Sequence, residues 1–445
     1  WRSVAILDNG TGFEPFRIIE GTTDMKKSLL IFLMLIGSMA GRSSYLLMQM
    51  DDSQKNHLKA YGIAFWILQN DIEIEWLLNY RGGSFMVQYY KDIEEECIIR
   101  GVSYELIANG QAQSIRNEIA NPEVNMEIVK LEKAPKIAVY TPSGKQPWDD
   151  AVTLVLTYAE IPYDEVYDSS VVNGVLPEYD WLHLHHEDFT GQYGKFYARY
   201  HNTEWYRRQQ REAEQLAQRL GFRKVSQLKL GVVLKIREFV AGGGFLFTMC
   251  SGTDSFDIAL AAQGVDICAE MYDGDPTDPN AQEKLDFNQT FAFKDFKLER
   301  NPLEYEFSNI DGTTRHPMSV SEGKNDPFTL FDFSAKWDIV PTMLCQNHTM
   351  VVPGFMGQTT DFDKDLIKPS VLVLGENKKL GTARYIHGEF GEGTWTFYAG
   401  HDPEDYRHYV QDPPTDLNLF PNSPGYRLIL NNILFPAAKK KKQKT

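Results

Sequence analysis

The stretch at residues 241–262, AGGGFLFTMCSGTDSFDIALAA, constrains the fold of this chain more than any other part of its sequence. Three glycines lead into an apolar run at residues 245–249, which is long enough for one buried strand. A helical pattern of apolar residues begins near Asp254, and Cys250 lies between the two patterns. The stretch therefore predicts a core strand that turns tightly, at Cys250, into a helix.

Two roles for Cys250 are compatible with this local pattern. At the start of a helix its thiol lies near the N-terminal amides and the positive end of the helix dipole, which favours the thiolate. Gly252 has no Cβ, so the backbone can bend sharply there, as the nucleophile elbow of hydrolases requires. Cysteine is also among the most buried residue types and packs well at the end of a core strand. The pattern alone leaves a reactive nucleophile and a core residue as alternatives.

Length and composition restrict the class of protein. A chain of 445 residues exceeds what one hydrophobic core usually holds, so two domains are expected. The hydrophobic content of 42% is that of an ordinary globular protein, and the formal charge of -16 argues against a nucleic-acid partner. The four cysteines show no CxxC or other metal-ligand spacing, and we expect no metal or other cofactor.

Residues 25–40, MKKSLLIFLMLIGSMA, have the pattern of a secretory signal peptide. Two lysines precede an apolar run at residues 29–36, and Ser38-Met39-Ala40 forms a small-x-small cleavage site. Because the apolar run is short for a membrane span, we expect cleavage after Ala40, a periplasmic or secreted protein, and no stable span; an uncleaved anchor is the alternative. Residues 1–24 are then upstream sequence outside the fold, and the basic residues 437–445 are interpreted as a disordered tail.

The first domain, residues 41–135, is predicted to be a small α/β domain. Its strand and helix patterns occupy residues 45–50, 53–69, 72–90 and 92–99, whereas residues 109–129 are mixed and polar. The start of its first helix, residues 51–59, is unusually polar. A helix N-cap with a solvated first turn explains these residues, and contact with a ligand is the alternative.

The second domain, residues 136–436, is predicted from alternating strand and helix patterns, which indicate a parallel sheet with helices on both faces. The patterns before the central strand occupy residues 136–140, 148–159, 163–167, 181–185, 204–220 and 228–240. Residues 271–350 break this rhythm and are interpreted as an insertion. Strands at residues 371–374, 384–389 and 394–399 and a helix at residues 426–434 complete the domain.

A chemically dense run, Trp181 to Asp188, ends the third strand of this domain. In open parallel sheets ligands bind beyond the carboxyl ends of the strands, where this run and Cys250 would both lie. We therefore expect a ligand site lined by His183, His185, His186, Glu187, Ser251 and Gly252. Metal-assisted hydrolysis at His183, His185 and Glu187 is the alternative, although the run has no i,i+4 helical pair and no distant cysteine ligand.

The sequences GGGFLFTMCSG and WTFYAGHDPEDY resemble the class I glutamine amidotransferase-like superfamily, particularly its ThuA-like, trehalose-utilisation branch. The resemblance covers residues 136–436, apart from the insertion, and implies a flavodoxin-like three-layer fold. In the amidotransferases a cysteine at the elbow attacks an amide and is activated by a histidine close to a glutamate. The resemblance therefore implies an exported amide hydrolase with Cys250 as nucleophile, His401 as general base, Glu404 or Asp402 as the orienting acid, and backbone amides near Ser251 as oxyanion donors.

Three features differ from the family pattern. Thr248 stands where the G-x-C-x-G motif has its first glycine, and one additional residue separates His401 from Glu404. Residues 185–189, HHEDF, replace the glycine-rich oxyanion loop that normally follows the third strand. A second hypothesis is therefore a binding module that holds a sugar or peptide without turnover, in a cleft lined by His183, His185, Trp181, Tyr398 and Tyr406.

The whole chain, including NHLKAYG at residues 56–62 and RGGSF at residues 81–85, also resembles exported Bacteroidetes proteins labelled asparagine synthetase B. That resemblance implies a third hypothesis, an ATP-dependent ligase. Enzymes of that type carry S-G-G-x-D-S after a strand, whereas residues 251–255 of this chain read SGTDS, which is one residue shorter and changes the pyrophosphate cradle. Their glutaminase also needs an N-terminal cysteine, and cleavage after Ala40 would leave Gly41 first.

Overall fold

The computed structural model describes residues 44–142, 150–312, 327–338, 343, 348–354, 359, 361–405 and 413–438. The signal peptide expected at residues 25–40, the segment 1–24, Cys345, Tyr406 and residues 439–445 of the basic tail lie outside these ranges. Within the described part of the chain, no helix is both long enough and apolar enough to cross a bilayer.

A five-stranded antiparallel sheet with three helices forms the first part of the chain. Its elements are β1 Tyr45–Met48, α1 His57–Gln69, β2 Ile74–Leu78, β3 Ser84–Gln88, α2 Lys91–Arg100, β4 Glu105–Ile107, α3 Asn109–Ala120 and β5 Glu127–Leu131. The strand order is β4-β1-β3-β2-β5. Alternate residues along each strand face opposite sides, so Leu47 and Leu77 pack with α3 while Met48 and Trp76 pack with α1.

Helix α3 and the start of strand β5 lie within residues 109–129, which the sequence analysis describes only as mixed and polar. The reason is the sparse apolar pattern of α3, in which only Ala112, Ile115 and Ile119 are buried among the helical residues. A narrow stripe of this kind gives a weak periodic signal, because most of the helix surface is solvated.

The polar residues before α1 are tied into the first turn of that helix. Asn56 caps α1 and accepts a hydrogen bond from the amide of Lys59 at 2.9 Å. The Gln54 side chain donates to two backbone carbonyls, those of Gln49 (2.7 Å) and Ser103 (3.0 Å), and Asp51 pairs with Arg81 at 2.7 Å. These contacts give the polar run a structural role at the junction between strand and helix.

A ten-stranded sheet organises the rest of the chain. The elements up to the central helix are β6 Ile137–Tyr140, α4 Ala151–Ala159, β7 Asp164–Val166, α5 Asp168–Val172, β8 Trp181–Leu184, α6 Tyr197–Tyr200, α7 Glu204–Arg219, α8 Val225–Ala241, β9 Phe245–Met249 and α9 Ser251–Ala261. The remaining elements are α10 Glu270–Asp273, β10 Phe328–Leu330, β11 Val351–Val352, β12 Phe362–Asp363, β13 Leu372–Asn377, β14 Thr382–Phe390, β15 Gly393–Tyr398 and α11 Pro424–Leu434.

The predicted α/β class is confirmed, and the sheet is mixed, because antiparallel strands extend the predicted parallel ones. The main path is β11-β10-β13-β14-β15-β9-β8-β6-β7, with β12 paired to β14. Among the described strands, the neighbours that pair in parallel are β15 with β9, β9 with β8, β8 with β6, and β6 with β7. Strand β14 turns into β15 through two residues, Gly391 and Glu392, and so short a connection can only join antiparallel strands. Strands β13 and β10 extend this antiparallel half.

Numbered along the chain, the parallel strands have the spatial order 2-1-3-4-5, which is one of the two common orders of doubly wound sheets. Their order reverses between β6 and β8. Helices cover both faces: α4 and α11 pack with Phe245 and Phe247 of β9 on one side, and α8 and α9 pack with Leu246 on the other.

The two sheets share one continuous core. Helix α1 packs against α4 and α11, and its Tyr61 lies in the same apolar cluster as Phe247 of the large sheet. Arg427 of α11 is fully buried. Its guanidinium donates to the carbonyls of Met50 (3.3 Å) and Gly82, and to the Tyr61 hydroxyl (3.2 Å). A charged side chain from a helix that packs on the large sheet is thus hydrogen-bonded to backbone carbonyls of the first part of the chain.

The carboxylate of Asp257 attaches the region interpreted as an insertion, residues 271–350, to α9. Asp257 accepts backbone amides from Phe291 (2.7 Å), Ala292 (2.7 Å) and Phe293 (2.9 Å), and burial raises its pKa to about 6 although these hydrogen bonds oppose the shift. The same region supplies β10, which pairs with β13 in the large sheet. The inserted chain is therefore part of the core.

Candidate functional site

The candidate site lies where three neighbouring parallel strands end. Leu184 of β8 pairs with Thr248 of β9, and Met249 of β9 pairs with Tyr398 of β15. The residues that follow these strand ends include His185, Cys250 and His401, so the carboxyl edge of the sheet brings the three predicted site residues together. The amide of Cys250 donates to the carbonyl of Gly400, directly before His401, at 3.1 Å.

Cys250 has the strained backbone of a nucleophile elbow. Its φ of 49° and ψ of -142° place a non-glycine residue in a region that costs on the order of 1–3 kcal/mol. It caps α9, and its carbonyl accepts from the amide (3.0 Å) and the hydroxyl (2.7 Å) of Thr253. Only 1% of the cysteine is exposed. The sequence prediction of a strand, a tight turn and a helix matches β9, Cys250 and α9.

Gly252 fixes the elbow against the end of β8. Its amide donates to the carbonyl of His185 at 2.9 Å, and a Cβ at this position would lie 2.1 Å from that oxygen. Any larger residue would therefore push the two strand ends apart. The amide of Gly252 already donates to this carbonyl. At the N-terminus of α9, the amide of Ser251 is therefore the better candidate to donate a hydrogen bond to an oxyanion.

Residues 251–255, SGTDS, which are one residue shorter than the S-G-G-x-D-S motif of a pyrophosphate cradle, form the first turns of α9. All five residues are buried, with at most 2% of any of them exposed. A pyrophosphate cradle needs backbone amides that are free to donate to the phosphates, whereas the amide of Gly252 already donates to the carbonyl of His185.

Three histidines gather beside the elbow. The ring centroids of His185 and His401 are 4.5 Å apart in an edge-on arrangement, and those of His185 and His186 are 4.2 Å apart. The rings of His186 and His401 stack at 5.4 Å. One ring nitrogen from each of the three lies within 4.8 Å of the other two. The run after β8 and the histidine after β15 thus form one imidazole cluster.

Asp150 is a site residue that the sequence interpretation misses. It caps α4, and its Oδ1 accepts the amides of Val152 (2.8 Å) and Thr153 (3.4 Å). The same oxygen lies 3.2 Å from Nε2 of His183, whose Nδ1 lies 3.2 Å from the carbonyl oxygen of Phe247. An aspartate just before an apolar helical run is an N-cap signal, but nothing in the local sequence indicates that a histidine of another strand lies against it.

Asp402 and Glu404, the predicted orienting acids, are directed toward α11. Asp402 is buried and accepts a hydrogen bond from the Tyr426 hydroxyl at 2.6 Å and from the Glu404 amide at 2.9 Å. Burial raises the pKa of Asp402, and the bond from Tyr426 opposes that shift. Burial also raises the pKa of Glu404, which is hydrogen-bonded to Ser423. These contacts connect the segment that follows His401 to α11 and its N-cap residue.

Glu187 lies near a second polar cluster. This cluster consists of Lys229, Asp168, Tyr140 and Tyr167, and we call it the Lys229 cluster. In it the ammonium group of Lys229 is 3.0 Å from Asp168 and 3.0 Å from the Tyr140 hydroxyl, and it lies over the rings of Tyr140 and Tyr167. Burial raises the pKa of Glu187 to about 7, while the positive charge of Lys229 partly offsets that shift. The carbonyl of Glu187 accepts from the Ser255 hydroxyl at 2.7 Å, which ties this loop to α9.

The aromatic residues expected to line a binding cleft are core residues. Trp181 is fully buried and stacks on Phe247 with ring centroids 5.5 Å apart. Tyr398 is also fully buried and donates to the carbonyl of Gly425 at 3.3 Å. The expectation that these two side chains contact a ligand is wrong, because both point to the interior face of their strands.

Tyr305, from the inserted region, is a further residue that the sequence does not indicate. Although 46% of Tyr305 is exposed, the pKa of its hydroxyl is raised, first by the partial burial of the hydroxyl and then by the charge of Cys250. A separate cleft of about 370 Å³ lies at the opposite, amino end of β6, where Phe65, Lys136 and Tyr163 are among its lining residues. That cleft is therefore distinct from the cysteine and histidine site.

Comparisons with known proteins add no family. No family model matches the chain, and no curated protein matches it. Among solved structures it is similar to two cytoplasmic proteins of Salmonella typhimurium, at 10% and 12% identity, with 68% of this chain aligned to 100% of each and TM-scores of 0.33 and 0.32. A β-galactosidase from Bacillus circulans sp. alkalophilus is similar at 13% identity, with 75% of this chain aligned to 36% of that one and a TM-score of 0.24. Similarities this distant identify neither a family nor a function.

Proposed function

We propose that this protein is a hydrolase of the amidotransferase-like type, in which Cys250 attacks the carbonyl carbon of an amide or ester. The backbone of Cys250 is the observation that carries the proposal. A cysteine whose only task is to fill the core gains nothing from a φ of 49°, because the same packing is available to a relaxed residue. Strain at the junction of β9 and α9 instead holds the thiol at the helix N-terminus, where negative charge is stabilised.

The other described cysteines provide the contrast. Cys97 lies within α2, and burial raises its pKa to about 12. Cys268 donates from its Sγ to the carbonyl of Thr190 at 3.2 Å, and burial raises its pKa well above the ordinary value. Both thiols are buried, and that of Cys268 lies beside the carboxylates of Asp266 and Asp273, which favour the neutral form. Neither has the strained elbow or the neighbouring imidazoles of Cys250.

The proposed reaction follows the order of other cysteine hydrolases. His401 accepts the thiol proton, and the Cys250 thiolate forms a bond to the carbonyl carbon, while the amide of Ser251 donates to the developing oxyanion. Collapse expels the amine or alcohol, which takes its proton from His401. Water, deprotonated by His401, then cleaves the thioester. His185 and His186 lie against His401 and would fix the orientation of its ring.

The sequence at residues 25–40 supports an extension of this proposal, namely that the enzyme acts outside the cytoplasm. The fold also supports the ThuA-like, flavodoxin-type assignment through its 2-1-3-4-5 order of parallel strands. The chemistry proposed at Cys250 depends neither on the location of the enzyme nor on the ThuA-like assignment.

A small acylating substrate, p-nitrophenyl acetate, tests the proposed nucleophile without knowledge of the natural substrate. We expect acetylation of the peptide that contains Cys250, detected by mass spectrometry after acid quenching. Cys250→Ser should lose the thioester, and His401→Gln should form it much more slowly. Cys268→Ser, which removes a buried thiol of the same chain, should react like wild type. Acetylation that reaches Cys250 no faster than it reaches Cys268 would overturn the proposal.

A further inference from the structure

We propose that Asp150, His183 and His185 bind a divalent transition-metal ion of the zinc class, at the crevice between β6 and β8. This crevice is where the parallel strands reverse their order, and open α/β sheets bind ligands at such a reversal. The proposal goes beyond the hydrolase proposed above and does not depend on it, because none of its three ligands is the thiol or the general base.

The three side chains are already gathered to the dimensions of a metal site. One ligand atom from each lies within 4.8 Å of the other two, and Oδ1 of Asp150 is 3.2 Å from Nε2 of His183. Ligands about 2.0–2.1 Å from a tetrahedral zinc ion are about 3.4 Å from one another, so this pair needs almost no movement. The exposed fractions are 1% for Asp150, 0% for His183 and 2% for His185. Rotations of two buried side chains would complete the set.

The contacts of the two ring nitrogens of His183 indicate a cation at Nε2. Both of its ring nitrogens face acceptors: Nδ1 faces the carbonyl oxygen of Phe247, and Nε2 faces a carboxylate oxygen. A neutral imidazole has a single N–H, so it satisfies only one of these contacts. With the proton on Nδ1 and donated to the carbonyl, Nε2 presents a lone pair toward Asp150. A metal ion between them resolves this repulsion, and the Nδ1–H bond to a backbone carbonyl is the usual outer support of a ligating histidine.

Asp150 provides a second, independent indication. Its Oδ1 already accepts two amides of α4, which satisfies the helix cap. Its Oδ2 is buried and, among the described residues, has no hydrogen-bond partner. A buried carboxylate oxygen without a partner costs on the order of 1–3 kcal/mol or more. Coordination of a cation by both carboxylate oxygens removes that cost, since the group then contributes ligand atoms and the charge that neutralises the ion.

The donor set selects the class of metal. Two imidazole nitrogens and one carboxylate oxygen suit zinc and neighbouring transition metals, whereas magnesium and calcium prefer sites made almost wholly of oxygen. His185 also belongs to the cluster with His186 and His401. We assign the ion to the Asp150 side because that group contains the only carboxylate of the two trios and because all three of its members are buried.

Equilibrium dialysis of the full chain tests the site. Protein treated with chelator is dialysed against Zn²⁺, and bound metal is measured by elemental mass spectrometry; Co²⁺ is used in parallel for its tetrahedral absorption bands. We expect one equivalent of zinc in wild type and in Cys250→Ser. Asp150→Asn keeps the helix cap, because asparagine caps as well as aspartate, and should weaken zinc binding at least about tenfold, as should His185→Gln. His201→Gln, outside the site, should bind like wild type.

Zinc binding by the variants distinguishes the Asp150 site from a site formed by His185, His186 and His401. Loss of zinc in Asp150→Asn and His185→Gln, with binding retained in His401→Gln, supports the assigned ligands. Loss in His401→Gln with binding retained in Asp150→Asn would overturn the assignment in favour of the other trio. A wild-type protein that binds no stoichiometric zinc would overturn the site altogether. Because the Co²⁺ spectrum is recorded on wild type, the test does not depend on the folding of any variant.

Discussion

The Lys229 cluster and the Cys250 elbow lie along the same carboxyl edge of one sheet, yet they treat buried polarity in opposite ways. In the Lys229 cluster the ammonium group has a carboxylate, a hydroxyl and aromatic faces as neighbours. Although burial alone would lower it, the pKa of Lys229 is held well above its ordinary value by Asp168 and Tyr140. At the elbow, the backbone is strained and an oxygen of nearby Asp150 lacks a partner among the described residues.

The difference separates polar groups that hold a fold together from polar groups that are held ready for chemistry. A buried ion pair whose members satisfy each other has nothing left to offer a ligand, and its loss is felt as instability. A strained nucleophile and an unsatisfied carboxylate store free energy that a substrate or an ion can release. Substitutions in the two regions should therefore change different observables.

The largest expected effect is catalytic and falls on the elbow. Cys250→Ser should lower kcat/KM for p-nitrophenyl acetate on the order of a thousandfold or more, since the nucleophile is lost. The free energy of unfolding should change by less than about 1 kcal/mol, because the volume is nearly conserved. Steady-state kinetics and urea unfolding measure the two quantities, and Cys268→Ser is the matched thiol control. A serine variant with near wild-type kcat/KM would remove the contrast between the regions.

Lys229→Met should have the opposite profile. Removing the ammonium group leaves Asp168 buried without its counter-charge, so we expect a loss of about 3–5 kcal/mol in the free energy of unfolding. Acetylation of Cys250 should persist in the variant while it is folded. Lys235→Met, which removes an exposed lysine paired with Glu238 at 2.7 Å, should cost less than about 1 kcal/mol. Equal urea midpoints for the two lysine variants would show that the Lys229 cluster is not structural.

Gly252→Ala should affect both observables at once, because this position joins the elbow to β8. The new Cβ meets the carbonyl of His185 at 2.1 Å, so we expect a destabilisation of about 1–3 kcal/mol and a slower acetylation of Cys250. Gly110→Ala is the matched control: that glycine lies in α3 with open space around it and should gain up to about 1 kcal/mol. Urea unfolding with parallel acetylation rates checks both; a Gly252→Ala protein as stable as wild type would contradict the tight approach.

The smallest effect concerns Glu187, between the two regions. Its pKa is raised by burial from 4.5 to about 7, so the folded protein binds this proton more tightly than the unfolded chain. Stability from this group is fully present below about pH 4.5 and is lost as the pH rises through 7. Between pH 5 and pH 8, wild type should lose about 2 kcal/mol more than Glu187→Gln does. The exposed Glu270→Gln variant should follow wild type, and identical pH profiles for all three proteins would contradict the burial of this charge.

Much of the fold is readable from the sequence because its core strands are short, uninterrupted apolar runs. The run at residues 245–249 coincides with β9, and the neighbouring runs give β6 and β8 to within two residues. The rule that parallel strands end at a common edge then brings Cys250 near His185 and His401 without further information. The run at residues 371–374 also indicates β13, but its pairing with β10 was beyond this reasoning, because pairing between segments far apart in the chain leaves no local signal.

The site was less predictable than the fold, for a geometric reason. Helices cover both faces of this sheet, so Trp181 and Tyr398, which were expected to line a cleft, are fully buried in the core. Asp150 carries an ordinary N-cap pattern, and only the packing of β6 against β8 gives it His183 as a neighbour. The roles of Asp402 and Glu404 likewise depend on α11, which lies after them in the chain.

The guanidinium of Arg427 has a consequence for how this protein can change over generations. It is a cation from the last helix, held in a dry interface by the backbone of the first sheet and by Tyr61. A recombination event that exchanged residues 44–135 for another module would strand that charge and expose the apolar face of α11. The first sheet is therefore inherited together with the sheet edge that carries Cys250, and the two should melt in one cooperative transition.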